Sequence, residues 1–206
     1  MKLDEKGLLI VLSGPSGVGK GTVREALFKR ADHDLVYSIS MTTRLPRAGE
    51  ENGREYYFVT REEFEKNIQE GKMLEYAEFV GNYYGTPLTA IKQQLNEGHE
   101  VVLEIEVQGA LQVREKMKDA IFVFIAPPSM DALYNRLKSR GTESEAVIQS
   151  RIDKAKRELG LAYKYDYIVV NDTVDNAADR IMAIIRAEHA KTERTIHKYK
   201  EMLEVK

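Results

Sequence analysis

An α/β fold built on a parallel sheet is what this sequence predicts, and three features predict it. Short unbroken apolar runs recur at Leu8–Leu12, Val101–Leu103, Ile121–Ile125 and Tyr167–Val170, the pattern of strands buried on both faces. Segments with helical spacing separate these runs, which argues for a sheet wrapped by helices. Between the first run and the first helix lies Ser13-Gly14-Pro15-Ser16-Gly17-Val18-Gly19-Lys20-Gly21-Thr22.

That loop is a phosphate cradle. Its glycines let the backbone curl until several N–H groups face one centre, beside the positive end of the helix that follows. Lys20 then places a full positive charge on the β- and γ-phosphates of a nucleotide. Gly14, Gly19 and Lys20 stand in register between strand and helix, which a plain glycine-rich connection does not require. The residue after the lysine is commonly Ser or Thr, whose hydroxyl binds Mg2+. Here it is Gly21, with Thr22 one residue later, so the loop reads as a phosphate binder without the usual metal-binding hydroxyl.

At 206 residues the chain suits one domain with inserted subdomains. Lys+Arg number 31 against 33 Asp+Glu, a net charge of −2, so no global basic field points to nucleic acid or to an anionic membrane. There is no cysteine, hence no disulfide framework or thiol chemistry. The start, Met1-Lys2-Leu3-Asp4-Glu5-Lys6, lacks the apolar stretch of a signal peptide. No apolar run approaches the roughly 20 residues that span a bilayer. A soluble cytoplasmic protein is expected.

Several helices announce their ends. Thr60 and Glu63 form a capping box ahead of Phe64 and Ile68, with Gly71 as the stop. Thr86-Pro87 starts a helix carrying Leu88, Ile91 and Leu95, ended by Gly98. Ser129 opens another, with Leu133 and Leu137 inward and Gly141 closing it; Thr142 with Glu145 opens the next, which runs to Leu159-Gly160. A last helix from about Asn176 is amphipathic through Ile181, Ile185, Ile196, Tyr199 and Leu203, covering the core in preference to pairing with a second subunit. Residues 37–85 differ. Tyr37–Ser40, Tyr56–Val59, Tyr76–Val80 and Tyr83-Tyr84 are aromatic, β-prone and punctuated by turns, with Gly81-Asn82 between the last two, which describes a small mixed β insertion.

A second cluster narrows the phosphate chemistry: Ser40-Met41-Thr42-Thr43-Arg44-Leu45-Pro46-Arg47, then Glu50, Asn52-Gly53 and Tyr56. Two arginines three residues apart around a proline turn can grip one phosphate from two sides with forked geometry that lysine lacks. Beside a phosphate loop, that reading outweighs a merely exposed arginine-bearing loop.

These segments, with Gly81-Asn82-Tyr83-Tyr84-Gly85-Thr86, Ile125-Ala126-Pro127-Pro128-Ser129, Arg140-Gly141-Thr142 and Val170-Asn171-Asp172, make the chain resemble the guanylate kinases over nearly its whole length. The resemblance implies a three-layer P-loop core of 1–36, 91–126 and 161–206, an inserted mixed-β GMP-binding subdomain of about 37–90, and a helical lid of about 127–160. It implies transfer of the ATP γ-phosphate to GMP or dGMP with Mg2+, by a monomer or homodimer. ATP falls to Gly14, Pro15, Ser16, Gly17, Val18, Gly19, Lys20, Gly21 and Thr22, with Asn171 and Asp172 meeting the adenine. Arg44, Arg47, Tyr56 and Tyr84 hold the GMP phosphate; Ser40, Glu75, Thr86 and Glu106 face the guanine. Glu104 stands near Mg2+, through water. Lid residues Arg136, Arg140 and Arg151, with Lys20 and Arg44, meet the transferring group, while Lys138, Lys154, Lys156 and Arg157 read as solvated charges. Where the family more often has aspartates, this chain has Glu104 and Glu106, each one methylene longer.

The chemistry of that assignment is coherent. Guanine offers N1–H and N2–H2 donors on one edge, which match a carboxylate, whereas adenine presents an acceptor at N1. The attacking group is already a phosphate oxygen, so no general base is needed to create the nucleophile. The four histidines, His33, His99, His189 and His197, accordingly read as surface residues. Two other readings compete: a scaffold domain of the same fold that has lost catalysis, and a kinase of another monophosphate. The intact Lys20 argues against the first, and Glu75 with Ser40 and Thr86 against the second.

Overall fold

The computed structural model describes residues 6–30, 34–139, 141 and 144–199. In chain order the elements are β1 (Leu9–Ser13), α1 (Lys20–Phe28), β2 (Leu35–Tyr37), β3 (Met41–Thr42), β4 (Tyr57–Phe58), α2 (Arg61–Gln69), β5 (Met73–Phe79) and β6 (Asn82–Pro87). There follow α3 (Leu88–Asn96), β7 (Glu100–Glu104), α4 (Val107–Lys116), β8 (Ile121–Ala126), α5 (Met130–Ser139), α6 (Glu145–Leu159), β9 (Tyr167–Val170), α7 (Val174–His189) and α8 (Thr192–Thr195).

Five strands make a parallel sheet in the order β2-β7-β1-β8-β9. The alternation along β1 builds a layer on each side. Ile10 and Leu12 join Val123 and Ile125 under α1 and α7, while Leu9 and Val11 join Phe122 under α3 and α4. Because both faces are covered at β1, β7 and β8, these strands carry uninterrupted apolar runs, which is why they were legible in the sequence; edge strand β9 keeps an apolar run although Ile168 and Val170 are exposed. The chain order leaves β1 central, so the loop after it opens where flanking connections run to opposite sides, the usual ligand crevice of an open α/β sheet.

The insertion is a separate mixed sheet in the order β4-β3-β6-β5, with β3 parallel to β4 and antiparallel to β6. Thr60 caps α2 as expected, accepting from the Glu63 N–H at 3.2 Å, and Ser129 caps α5 by accepting from the Ala132 N–H at 3.0 Å.

Four expectations change. The helix expected after Thr86-Pro87 forms, but it starts one residue later than the pattern suggests: both residues end β6, Pro87 stands at the cap position, and α3 begins at Leu88. Pairing with β5 holds Thr86 extended, and its hydroxyl goes to Glu75 rather than to a helix N-terminus. Ser144, not Thr142, occupies the cap position of α6; Thr142 lies outside the described residues. The turn of the β5–β6 hairpin is Val80-Gly81, both with positive φ (49° and 74°), and Asn82 already pairs with Phe79. A turn of that hand matches the twist of the flanking strands. The last helix breaks after His189. Ile181 and Ile185 face the core, but Ile196 and Tyr199, beyond the break, are exposed; Leu203 lies outside the described residues.

Candidate active site

The donor side is built of main chain. Gly14, Gly17 and Gly19 all adopt positive φ. A methyl group on Gly14 would lie 2.2 Å from the Ile125 carbonyl oxygen, so only glycine lets the loop pass this close to the end of β8. Lys20, at the first position of α1, folds back over the loop and donates to the carbonyls of Gly14 (2.7 Å) and Pro15 (3.2 Å). Burial lowers its pKa, and the charges of Glu106, Glu104 and Glu158 oppose that shift. The loop is braced from outside by one shared acceptor. The Val18 carbonyl receives Arg136 Nη1 at 3.1 Å and Asn171 Nδ2 at 2.8 Å. Arg136 also donates to the Asn171 carbonyl at 2.8 Å, tying α5 to both the loop and the turn after β9.

Asn171 is buried, and its Oδ1 has no hydrogen-bond partner among the described residues, although its Nδ2 is anchored. Asp172 behaves otherwise. Arg180 grips both its carboxylate oxygens (3.0 and 2.9 Å) and the Thr173 N–H adds a third bond at 2.8 Å. Those bonds hold its pKa at about 2, with Arg180 as the main cause. Of the two residues expected against the adenine, Asn171 is the one whose side-chain oxygen is buried with no partner among the described residues.

The acceptor side is built of side chains. Arg44 forms a forked ion pair with Glu50, at 3.0 Å to each oxygen, and donates to the Leu45 carbonyl at 2.7 Å. Its guanidinium lies 5.5 Å from the centre of the Tyr56 ring, which in turn packs edge-on against Tyr84 at 6.0 Å. Glu50 also accepts from the Arg47 N–H at 2.7 Å, and these bonds, Arg44 first, hold its pKa below the usual carboxylate value. The Arg47 side chain is exposed. Sequence thus brought Arg44, Arg47, Tyr56 and Tyr84 to one place, and Glu50 is what organises them.

Glu75 and Thr86 meet across β5 and β6. The Thr86 hydroxyl donates to Glu75 Oε1 at 2.7 Å, both residues are buried, and burial raises the Glu75 pKa. Ser40 lies at the same end of the insertion, just before β3, where its carbonyl accepts from the Tyr57 N–H at 2.8 Å.

Glu104 ends β7 beside the phosphate loop. Burial raises its pKa, against the opposing charges of Arg24 and Lys20, and Arg24 Nη1 stands 3.6 Å from Oε2. A methyl group on Gly21 would sit 3.8 Å from Glu104 Oε1, so the carboxylate lies over the position where the usual hydroxyl is missing. Among the described residues no group of three or more His, Asp or Glu side chains forms a metal cluster. A cation here would therefore depend on Glu104, water and nucleotide oxygens, a donor set that suits Mg2+.

Glu106, expected against the guanine, is exposed and bonded to Lys154 at 2.6 Å. Lys154 is consequently no free surface charge: it reaches from α6 to the core and is also 3.5 Å from Glu158. Glu158 is buried, which raises its pKa, and its Oε2 has no hydrogen-bond partner among the described residues. The sequence did carry a signal for it. Ile148, Ile152, Ala155 and Glu158 fall on one inward stripe of α6, where a carboxylate is out of pattern. Arg24, wedged between Glu104 and the Tyr37 ring (4.3 Å to its centre), had no such signal. Arg151 lies on α6; Arg140 lies outside the described residues.

A glycine-rich anion cradle at the C-terminal edge of a parallel sheet, braced by a helical segment and faced by an inserted sheet, defines a P-loop nucleotide-binding protein. Comparison with known proteins narrows the class. A family model described as guanylate kinase matches residues 6–188. A guanylate kinase of Onion yellows phytoplasma is 60% identical over 99% of this chain and 97% of its own. That of Bacillus subtilis is 57% identical over 98% and 100%. The crystal structure of guanylate kinase from Anaplasma phagocytophilum, 36% identical, superposes with a TM-score of 0.73 over 94% of this chain and 92% of its own. The chain belongs to the guanylate kinase family. No helix among the described residues is long and apolar enough to cross a membrane.

Proposed function

We propose that this chain transfers the γ-phosphate of ATP to GMP, giving ADP and GDP, by direct in-line transfer between two separately built pockets. Family membership supports the reaction, and one observation carries the choice of base. Glu75, a carboxylate with no ion pair among the described residues, is kept buried with one oxygen on Thr86. Such a group presents acceptors to the N1–H and N2–H2 of guanine and meets adenine with an unmatched acceptor. A site that leaves buried acceptors unpaired rejects the wrong base by on the order of 10⁴-fold.

Arg44 and Arg47, with Tyr56 and Tyr84, take the GMP phosphate. Arg44 is already oriented by Glu50, so the incoming phosphate finds a guanidinium in place rather than a mobile one. Ser40 completes the guanine side. Glu106 joins it once Lys154 lets go.

On the donor side the loop amides and Lys20 hold the ATP phosphates, and the free Asn171 Oδ1 accepts from the adenine amino group. Arg136 holds the loop's shape through Val18, and Arg151 and Arg140 add positive charge from the lid. Bound Mg2+, held by Glu104 through water, would supply charge neutralisation across the β- and γ-phosphates. The attacking phosphate oxygen of GMP needs no base; the protein's task is to bring two polyanions together and oppose the charge that shifts to the leaving ADP. Lys20 and the arginines do so from parts of the molecule that converge around both substrates, which excludes water as a competing acceptor.

An ADP-release assay across GMP, AMP, CMP, UMP and dTMP tests this. Turnover with GMP far above the other four is expected. Equal turnover with AMP, or none with any monophosphate, would overturn the proposal.

A further inference from the structure

The base-reading carboxylate owes its position to a helix of the core rather than to its own sheet. β5 is an edge strand of the inserted sheet, so one side of its backbone is unpaired by β6. Helix α4 covers that side. Gln112 treats Tyr76 as a neighbouring strand would: its Oε1 accepts from the Tyr76 N–H at 3.2 Å, and its Nε2 donates to the Tyr76 carbonyl at 3.0 Å. One turn further on, Lys116 donates to the Met73 carbonyl at 2.9 Å. Gly109, Gln112 and Lys116 follow helical spacing, so these contacts come from one face of α4.

At the head of that stripe the helix has no side chain, and there the carboxylate sits. A methyl group on Gly109 would lie 2.7 Å from Glu75 Oε2 and 3.4 Å from its Cδ. A contact that short cannot stand, and little nearby can yield. Glu75 Oε1 is tied to the Thr86 hydroxyl, and β5 is fixed by β6 on one edge and by Gln112 on the other. Withdrawing α4 would break the Gln112 bonds; turning the carboxylate would break the Thr86 bond.

We propose that Gly109 is a specificity-determining position of the GMP pocket. Its missing side chain is the space that Glu75 needs in order to face the guanine, and Gln112 and Lys116 set the height of β5 above it. Gly109 and Gln112 touch no nucleotide in this scheme; they are positioning residues that act through Glu75. The inference rests on the reading of Glu75 as the guanine contact, and the experiment separates the two.

KM for GMP and KM for ATP are measured for Gly109→Ala, Glu75→Gln, Glu75→Asp and the double variant Gly109→Ala/Glu75→Asp, with urea unfolding as the control. Gly109→Ala is expected to raise KM for GMP about tenfold, the scale of one displaced charged hydrogen-bonding group, and to leave KM for ATP unchanged. Aspartate, one methylene shorter, withdraws from the added methyl, so the double variant should use GMP better than the two single losses predict. A rise of both KM values together, or none, would overturn the inference. If Glu75→Gln itself leaves KM for GMP unchanged, the reading of Glu75 fails. If Glu75→Gln raises it and Gly109→Ala does not, only the role of Gly109 fails. Should Gly109→Ala not fold, the decision passes to Gln112→Ala. It frees the same edge without adding bulk and must raise KM for GMP several-fold against an unchanged KM for ATP; otherwise the inference falls.

Discussion

The two nucleotide pockets of this protein are made of different material. The proposed donor pocket is main chain: the six residues Gly14–Gly19 between β1 and α1, with Lys20 resting on two of their carbonyls. The proposed acceptor pocket is side chain: Arg44 on Glu50, Tyr56 on Tyr84, and Glu75 on Thr86, contributed by strands and turns spread from residue 40 to residue 86. A main-chain cradle is determined locally, because its shape follows from where glycine permits positive φ. A side-chain pocket exists only after a sheet has formed, and each of its charges needs a partner to hold it ready. Those partners, Glu50 and Thr86, are part of the pocket as much as the groups that touch substrate.

The contrast can be broken most easily at its strongest point. Lys20→Ala should lower turnover by about 10³-fold, since it removes the full positive charge set into the loop for the phosphates, while urea unfolding stays near that of the parent. Near-normal turnover would mean that the amide cradle alone performs the donor side's work.

Next in size is Glu75→Gln, which should raise KM for GMP by about tenfold and leave KM for ATP unchanged. The same residue fixes a pH dependence. Burial raises the Glu75 pKa, and the ionised form is the one that accepts from guanine. KM for GMP should therefore climb on acidification at a higher pH than an ordinary carboxylate would dictate, and the glutamine variant should lose that climb. A climb that persists in Glu75→Gln would assign it to another group.

The smallest expected effect sharpens the point about partners. Glu50→Gln keeps hydrogen-bonding capacity beside Arg44 but removes the charge that orients it. KM for GMP should rise several-fold with little change in kcat. Because Arg44 holds the Glu50 pKa down, the ion pair survives acid below the ordinary carboxylate range. Its contribution is complete above that range and fades only as pH falls through the lowered value. An unchanged KM would show that Arg44 is held well enough by the Leu45 carbonyl and the two tyrosines.

Legibility in the sequence followed the same divide. The central strands were readable because burial on both faces leaves only apolar residues, and the phosphate loop because its geometry demands glycine at fixed spacing. Thr86-Pro87 marked the helix that follows but placed its start one residue early, because pairing with β5 keeps both residues in β6. Lys154 read as a surface charge because nothing local points to Glu106, 48 residues away. The last helix looked continuous because Ile196 and Tyr199 keep its period, yet the chain turns at Lys191 and leaves both exposed.

By itself, then, the chain's sequence determined the layered α/β core, the phosphate loop and the pairing of two arginines around a proline, since each depends on residues close together in the chain. Tertiary structure alone decided which acidic residues remain available. Asp172 is taken up by Arg180, Glu106 by Lys154 and Glu50 by Arg44, while Glu75 is left buried beside a glycine of a distant helix. The physical reason is range. Backbone conformation is set within a few residues, but the state of a charge is set by whatever the fold places within a few ångströms of it.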